Sequence, residues 1–122
     1  MMTGFHELAG LPLEQVTEHY SRRVVFGAQE MMVWATLRAG AHARAHRHPQ
    51  EQMFWILSGR ADFRLGAERR SCGAGSVIVV PGDVEHEMWC AEDTEFVAVL
   101  SPLRQDLLPG APPPAHLRDE RA

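Results

Sequence analysis

The stretch GAHARAHRHPQEQMFWILSG, residues 40–59, places His46 and His48 two residues apart, then Gln52, then an apolar run that stops at Ser58-Gly59. On an extended strand, residues two apart project from the same face, so both imidazoles can converge on one point. Pro49 bends the backbone, and Gln52 can swing back toward that point as the next strand begins. A second stretch, GSVIVVPGDVEH at 75–86, reads as a buried-type strand, a Pro-Gly-Asp turn and one more histidine, His86. Three imidazoles and a carboxamide from two hairpins form a donor set suited to a divalent metal.

Working outward, MMVWATL at 31–37 is apolar on both alternations, as expected of a strand buried on both faces. Its neighbour Arg23–Phe26 opens the strand-like territory, and Gly27-Ala28 is a natural turn. After Gly59 the alternation is clean: Ala61, Phe63 and Leu65 face inward while Arg60, Asp62 and Arg64 face water. Gly66-Ala67-Glu68 turns the chain into a hairpin partner at 69–72, and 86–90 and 94–100 complete the series. Nine or ten short strands separated by turn residues, with no helix-period segment, indicate an all-β sandwich or barrel. Leu11-Pro12-Leu13-Glu14 reads as a helical turn or a loop. The expected organisation is an N-terminal arm over 1–20, one barrel domain over 21–108 and a mobile, proline-rich then charged tail over 109–122.

Composition narrows the function. A chain of 122 residues buries a single core. A formal net charge of −4, with no basic run, argues against nucleic acid as a partner. The sequence contains no lysine, which excludes Schiff-base chemistry through a lysine amine. Two cysteines, Cys72 and Cys90, and no signal-like N-terminal segment are read as a reduced, cytoplasmic protein. No apolar run approaches the ~20 residues needed to cross a bilayer, so no membrane partner is expected.

The two histidine stretches resemble the paired motifs of the cupin superfamily. Gly40, His46-x-His48, Gln52 and Gly59 stand at the spacing of the first motif, with Gln52 where Glu is usual. Gly75, Pro81, Asp83 and His86 resemble the second motif, with Asp83 for a common Gly and Cys90 for a common Asn. The resemblance covers roughly residues 20–105. It implies a double-stranded β-helix (jelly-roll) barrel holding one divalent metal on His46, His48, Gln52 and His86. Zinc is the first expectation, and nickel, iron, manganese or cobalt are the alternatives. Glu51 competes chemically with Gln52 for the third position, but the motif spacing favours Gln52.

Strand parity extends the site. If His86 points inward, so do Met88 and Cys90; if Gln52 does, so do Phe54 and Ile56. On the last strand, either Phe96, Ala98 and Leu100 or Glu95, Val97 and Val99 face the metal, and the family register favours the first set. SPLRQDLL at 101–108 resembles the ending of short cupins that linearise unsaturated uronates, in which the arginine lies near substrate. Here that residue is Arg104, while Ala98 stands where a carboxylate is expected. Phe54, Met88, Ala98, Leu100 and Arg104 are therefore the expected substrate contacts, with a pair to Asp106 the alternative role for Arg104. His42, Tyr20, Glu51, Glu85 and His19 are spare acid/base groups that spacing does not assign; His42 shares the parity of His46, which would set it near the metal, but it is expected to be exposed. Cys90 reads as a buried structural thiol.

The expected function is a metal-dependent isomerase, epimerase, cyclase or lyase that moves a proton on a small, partly apolar oxo or carboxylate substrate. The apolar lining tilts this toward natural-product chemistry. An iron-dependent dioxygenase and a non-catalytic ligand-binding barrel are the alternatives. A homodimer is expected because Met31, Val33, Trp55 and Leu57 lie on parities opposite to the residues placed inside the barrel, leaving a surplus of apolar surface.

Overall fold

A computed structural model describes residues 1–112 and 115–117. Ten strands form two antiparallel sheets: β1 Glu14–Thr17, β2 Tyr20–Phe26, β3 Met31–Leu37, β4 His42–His46, β5 Glu51–Ser58, β6 Arg60–Leu65, β7 Glu68–Gly73, β8 Val77–Val80, β9 His86–Cys90 and β10 Thr94–Ser101. One sheet runs β1-β2-β3-β10-β5-β8 and the other β4-β9-β6-β7. This is the all-β jelly roll that the strand count and motifs imply. Among the described residues, the helical elements are short 3-10 turns, and no helix is long and apolar enough to cross a membrane.

The alternation of side chains places the core between the sheets. Gln52, Phe54 and Ile56 of β5, Phe96, Ala98 and Leu100 of β10, and His86, Met88 and Cys90 of β9 all point inward and are buried. On β10 it is thus the Phe96 set, not the Glu95 set, that faces the interior. Phe54 ties the layers together, its ring edge-on to Phe63 of the opposite sheet and to Phe96, each with centroids 5.2 Å apart. Burying side chains of this size contributes about 1.5–3 kcal/mol each.

Two strands differ from the two-sided burial expected of them. In β3, Met31, Val33, Ala35 and Leu37 are buried, whereas Met32 is 47% exposed and Thr36 faces solvent. In β8, Val77 and Val79 are 64% and 46% exposed, and Val80 is the one fully buried valine. The physical reason is the same for both: only the inner face of the six-stranded sheet is covered by a second layer. The outward residues on β3 are consequently Met32 and Trp34 rather than Met31 and Val33. The N-terminal arm also contributes structure, because β1 pairs with β2 and extends the larger sheet.

Beyond β10, Gln105–Leu107 forms a turn that buries Leu107. Gly110 N–H donates to the Glu14 carboxylate at 2.9 Å, fastening this segment to β1. Ala115–Leu117 forms a further turn beside β4. The mobile tail expected from Pro109 onward falls partly on residues 113, 114 and 118–122, which lie outside the described residues.

Gly59 closes the β5–β6 connection at φ +85°, and a Cβ there would meet the Asp93 carbonyl oxygen and stand 2.8 Å from Thr94 Cα. Backbone cannot retreat as a flexible side chain can. Gly59→Ala should therefore cost about 2–5 kcal/mol in urea denaturation, combining left-handed strain and overpacking. Gly66→Ala, with φ +57° and open space around it, should cost only about 1–2 kcal/mol.

Candidate metal centre

His46 ends β4, His48 lies just beyond it, Gln52 lies on β5 and His86 opens β9. The three imidazoles offer nitrogen atoms that all lie within 4.8 Å of one another. Ring centroids are 4.2 Å apart for His46 and His86, 5.0 Å for His48 and His86, and 5.7 Å for His46 and His48.

A β-bulge aims the first ligand. β4 pairs with β9 as His42 to Trp89 and Ala43 to Met88, but then as His46 to His86, one residue more than a regular ladder allows. An inserted residue reverses the facing of everything after it. Ala43 and His46 accordingly point inward, although their numbers have opposite parity. His42, which shares sequence parity with His46, points out: it is exposed, stacks on Trp89 and lies 2.6 Å from the Glu87 carboxylate. It takes no part in the site.

Each histidine commits its Nδ1 in the same way. Nδ1–H of His46 donates to Arg44 O at 2.6 Å, that of His48 to Gln50 O at 3.0 Å and that of His86 to Val84 O at 3.0 Å. A backbone acceptor on Nδ1 fixes the tautomer and leaves Nε2 as a lone pair. His86 Nε2 is buried and finds no hydrogen-bond partner among the described residues. His48 Nε2 faces Gln52 Oε1 at 3.0 Å, lone pair toward lone pair. A cation between these atoms satisfies all of them at once, and the donor set is the one a divalent ion takes. Three imidazoles and one amide oxygen fit the metal that the motifs imply.

The environment keeps the rings neutral. Burial lowers the pKa of His46 to about 4, against a smaller opposing effect from its bond to Arg44 O, and the neighbouring His86 adds to the lowering. His48 and His86 are also lowered, first by burial, with the Arg104 guanidinium contributing to each. Burial raises the Cys90 thiol to about 11, which makes it an inert core group.

From His46, Gln52 and His86 opens a cavity. Phe54, Met88, Ala98, Leu100 and Arg104, the expected substrate contacts, all line it. Arg104 is buried, and it also pairs with Asp106 through Nε to Oδ1 at 3.0 Å and Nη2 to Oδ2 at 2.6 Å. Arg104 thus lines the cavity and is paired with Asp106 in the same geometry. No carboxylate is among the described residues that line the cavity.

Three further groups stand at or beside the cavity: Tyr20 is one of the spare acid/base candidates, while Arg22 and His116 are not singled out by the sequence. Tyr20 lines the cavity from β2. Arg22, two residues on, is fully buried against Glu14 at 3.3 Å, with its Cζ 6.0 Å from the Tyr20 ring. The alternation Tyr20-x-Arg22-x-Val24 carries this inward facing, but a buried arginine breaks the hydrophobic pattern by which strands are read. His116 lines the cavity from a proline-rich segment that gives no periodic signal at all.

This fold and centre define a small β-barrel with a three-histidine cluster that could hold one metal ion. Residues 33–101, more than half of the chain, match the family model described as the Cupin domain, and the chain belongs to that family. An uncharacterized protein of Streptomyces coelicolor is 34% identical over 67 residues. Those residues make up 54% of this chain and 64% of the relative, less than two thirds of its length. Among solved structures, an RmlC-like cupin from Shewanella frigidimarina superimposes with a TM-score of 0.84 at 21% identity, covering 88% of this chain and 97% of that one. KdgF from Halomonas sp. gives 0.81 at 24% identity, covering 88% and 100%. A predicted oxalate decarboxylase from Thermotoga maritima gives 0.71 at 17%, covering 80% and 97%. At these identities the likeness establishes the fold.

The lowered histidines fix the sign of the pH response. A folded-state pKa below the unfolded value near 6.5 means that the unfolded chain binds more protons as the medium acidifies. For metal-free protein, this stabilising contribution is fully present above pH 6.5 and is lost as the pH falls toward about 4, the His46 value. Melting temperatures of metal-stripped protein should be level near neutrality and decline below pH 6.5. The decline should be shallower in His46→Gln.

Proposed function

We propose that this cupin uses one divalent metal to catalyse non-redox proton transfer on a small, partly apolar oxo-carboxylate, in an isomerase, epimerase, cyclase or lyase reaction. One observation carries the reading: an uncharged ligand set and a buried arginine face a largely apolar cavity in which no carboxylate is found among the described lining residues. A metal held by neutral ligands supplies Lewis acidity, which polarises an oxo group and acidifies the neighbouring C–H bond.

The chain's own residues supply the rest. Arg104 offers a planar donor fork to the substrate carboxylate, and Asp106 holds that fork in place. Phe54, Met88 and Leu100 exclude water, so charge interactions act at short range in a medium of low polarisability. Cation and guanidinium together make the cavity attractive to anions, while Ala98 leaves room beside β10 for an aliphatic or aromatic body. This last feature supports a substrate less polar than a sugar acid, as in natural-product chemistry.

The test is solvent deuterium incorporation into a panel of 2-oxo carboxylates by metal-loaded protein, followed by mass spectrometry. Incorporation at the carbon beside the oxo group supports the reading; oxygen uptake without exchange points to a dioxygenase instead, and neither result supports a binding barrel. With an exchanging substrate, Arg104→Lys should raise KM about tenfold or more while changing kcat less, because lysine keeps the charge but loses the fork. Equal kinetics would place Arg104 outside substrate binding.

We also propose that the molecule is a homodimer packed through the outer face of the larger sheet. Met32, Met53, Trp55, Val77 and Val79 are each 45–64% exposed there. Register joins them into one patch, since Met53 pairs with Val79 and Val99, Trp55 pairs with Val77 and Val97, and Met32 pairs with Val99. A contiguous apolar face of this kind is rare on monomers. Sedimentation at micromolar concentration should give a dimer for the wild type and a folded monomer for Trp55→Glu. A monomeric wild type would refute the assignment.

A further inference from the structure

The turn Ala115–Leu117 carries an imidazole into the cavity of the metal centre. The His116 ring lies on the His46 ring with centroids 3.6 Å apart and planes 16° from parallel, a face-to-face stack. Both His116 and Leu117 belong to the cavity lining, together with Arg104. His86 approaches His46 at 4.2 Å with its plane inclined by 55°, so the stacking contact is made by His116. A flat, unsaturated ring is therefore accommodated against one donor of the triad.

We propose that the His46 ring face is the seat for the planar unsaturated part of the substrate, and that His116 fills this seat until substrate displaces it. The proposal rests on the reading of the cavity as the site for an oxo-carboxylate and names what that substrate must look like beside the carboxylate. An enolisable oxo-carboxylate conjugated with an aryl or alkenyl group is flat over several atoms and has the thickness of an imidazole. Stacked on His46, it keeps its carboxylate in the same cavity as the Arg104 fork. A saturated, puckered body cannot lie flat on the ring and loses that contact.

The tether makes His116 an effective competitor. Residues 105–110 are fastened to the barrel through Leu107 and through the bond from Gly110 to Glu14. The imidazole is thereby confined near its seat at a high local concentration. Any ligand that needs the seat binds the fraction of molecules in which the seat is open, so its apparent affinity falls by that fraction.

The test uses the full-length, metal-free chain, so that its result does not depend on metal loading or turnover. In 15N-labelled protein, His116→Ala should shift the ring signals of His46 through loss of the stacked ring, while those of His42 on the outer face stay in place. Benzoate, a flat aryl carboxylate, should bind His116→Ala about 3–10-fold more tightly than wild type. His116→Phe, which keeps a flat ring on the tether, should restore the weaker binding. Cyclohexanecarboxylate, with the same charge and a puckered ring, should bind His116→Ala more weakly than benzoate does. Unshifted His46 signals, equal benzoate affinities in wild type and His116→Ala, or no preference for benzoate over cyclohexanecarboxylate would each overturn the proposal. Failure of deuterium exchange in the metal-loaded protein, with these binding results intact, would remove the reaction and leave the seat standing. Exchange with oxo-carboxylates in a protein that fails the binding tests would do the reverse.

Discussion

The constraint on which the rest depends is the confinement of three imidazole lone pairs inside an apolar barrel. Each Nδ1–H is spent on a backbone carbonyl two residues before or after it in the chain, which turns each Nε2 inward without a proton. Burial then opposes protonation, so the cluster cannot relieve itself by taking up protons near neutral pH. A buried acceptor without a donor is costly, and His86 Nε2 is one. A divalent cation held between the three rings would resolve this arrangement. The bulge in β4, the Pro-Gly turn before His86 and the start of β5 all serve to bring the donors to one place.

Much of this was legible in the sequence because the signals are local. His46-x-His48, Gln52 and Gly59 sit at fixed spacing, and Gly75 to His86 repeats the strand-turn-histidine logic, so both the fold and the clustering of the three histidines follow from short patterns. Parity on β5 as far as Ile56, on β6 and on β9 also transfers directly, since the β5–β10 and β6–β9 ladders are regular there. What the sequence hid is non-local. The bulge between Ala43 and His46 reverses parity without a distinctive residue, so parity alone would set His42 near the metal, whereas it points out, as expected of an exposed histidine. The exposure of Met32, Val77 and Val79 depends on whether a second layer covers the sheet, and composition does not carry that information.

The cavity shows a second division of labour. Its polar groups come from separate chain segments: His46, His86 and Gln52 from the hairpins around the centre, Tyr20 from β2, Arg104 from just past β10, and His116 from a turn beyond the barrel. Catalytic precision is best served by ligands on strands, and exchange of ligand by groups on a tether. Arg104 stands between the two. Its backbone N–H contacts Met31 Sδ at 3.4 Å and its side chain is braced by Asp106. With Ala98 where the resemblance implies a carboxylate, no carboxylate is among the described residues that line the cavity with Arg104.

X-ray absorption at the zinc edge of protein loaded with one equivalent of zinc tests the convergence of the triad most directly. The geometry predicts a first shell of nitrogen and oxygen only, at about 2.0–2.2 Å, with the outer-shell scattering of three imidazole rings. A sulfur scatterer near about 2.3 Å, or the signature of one imidazole or none, would contradict it.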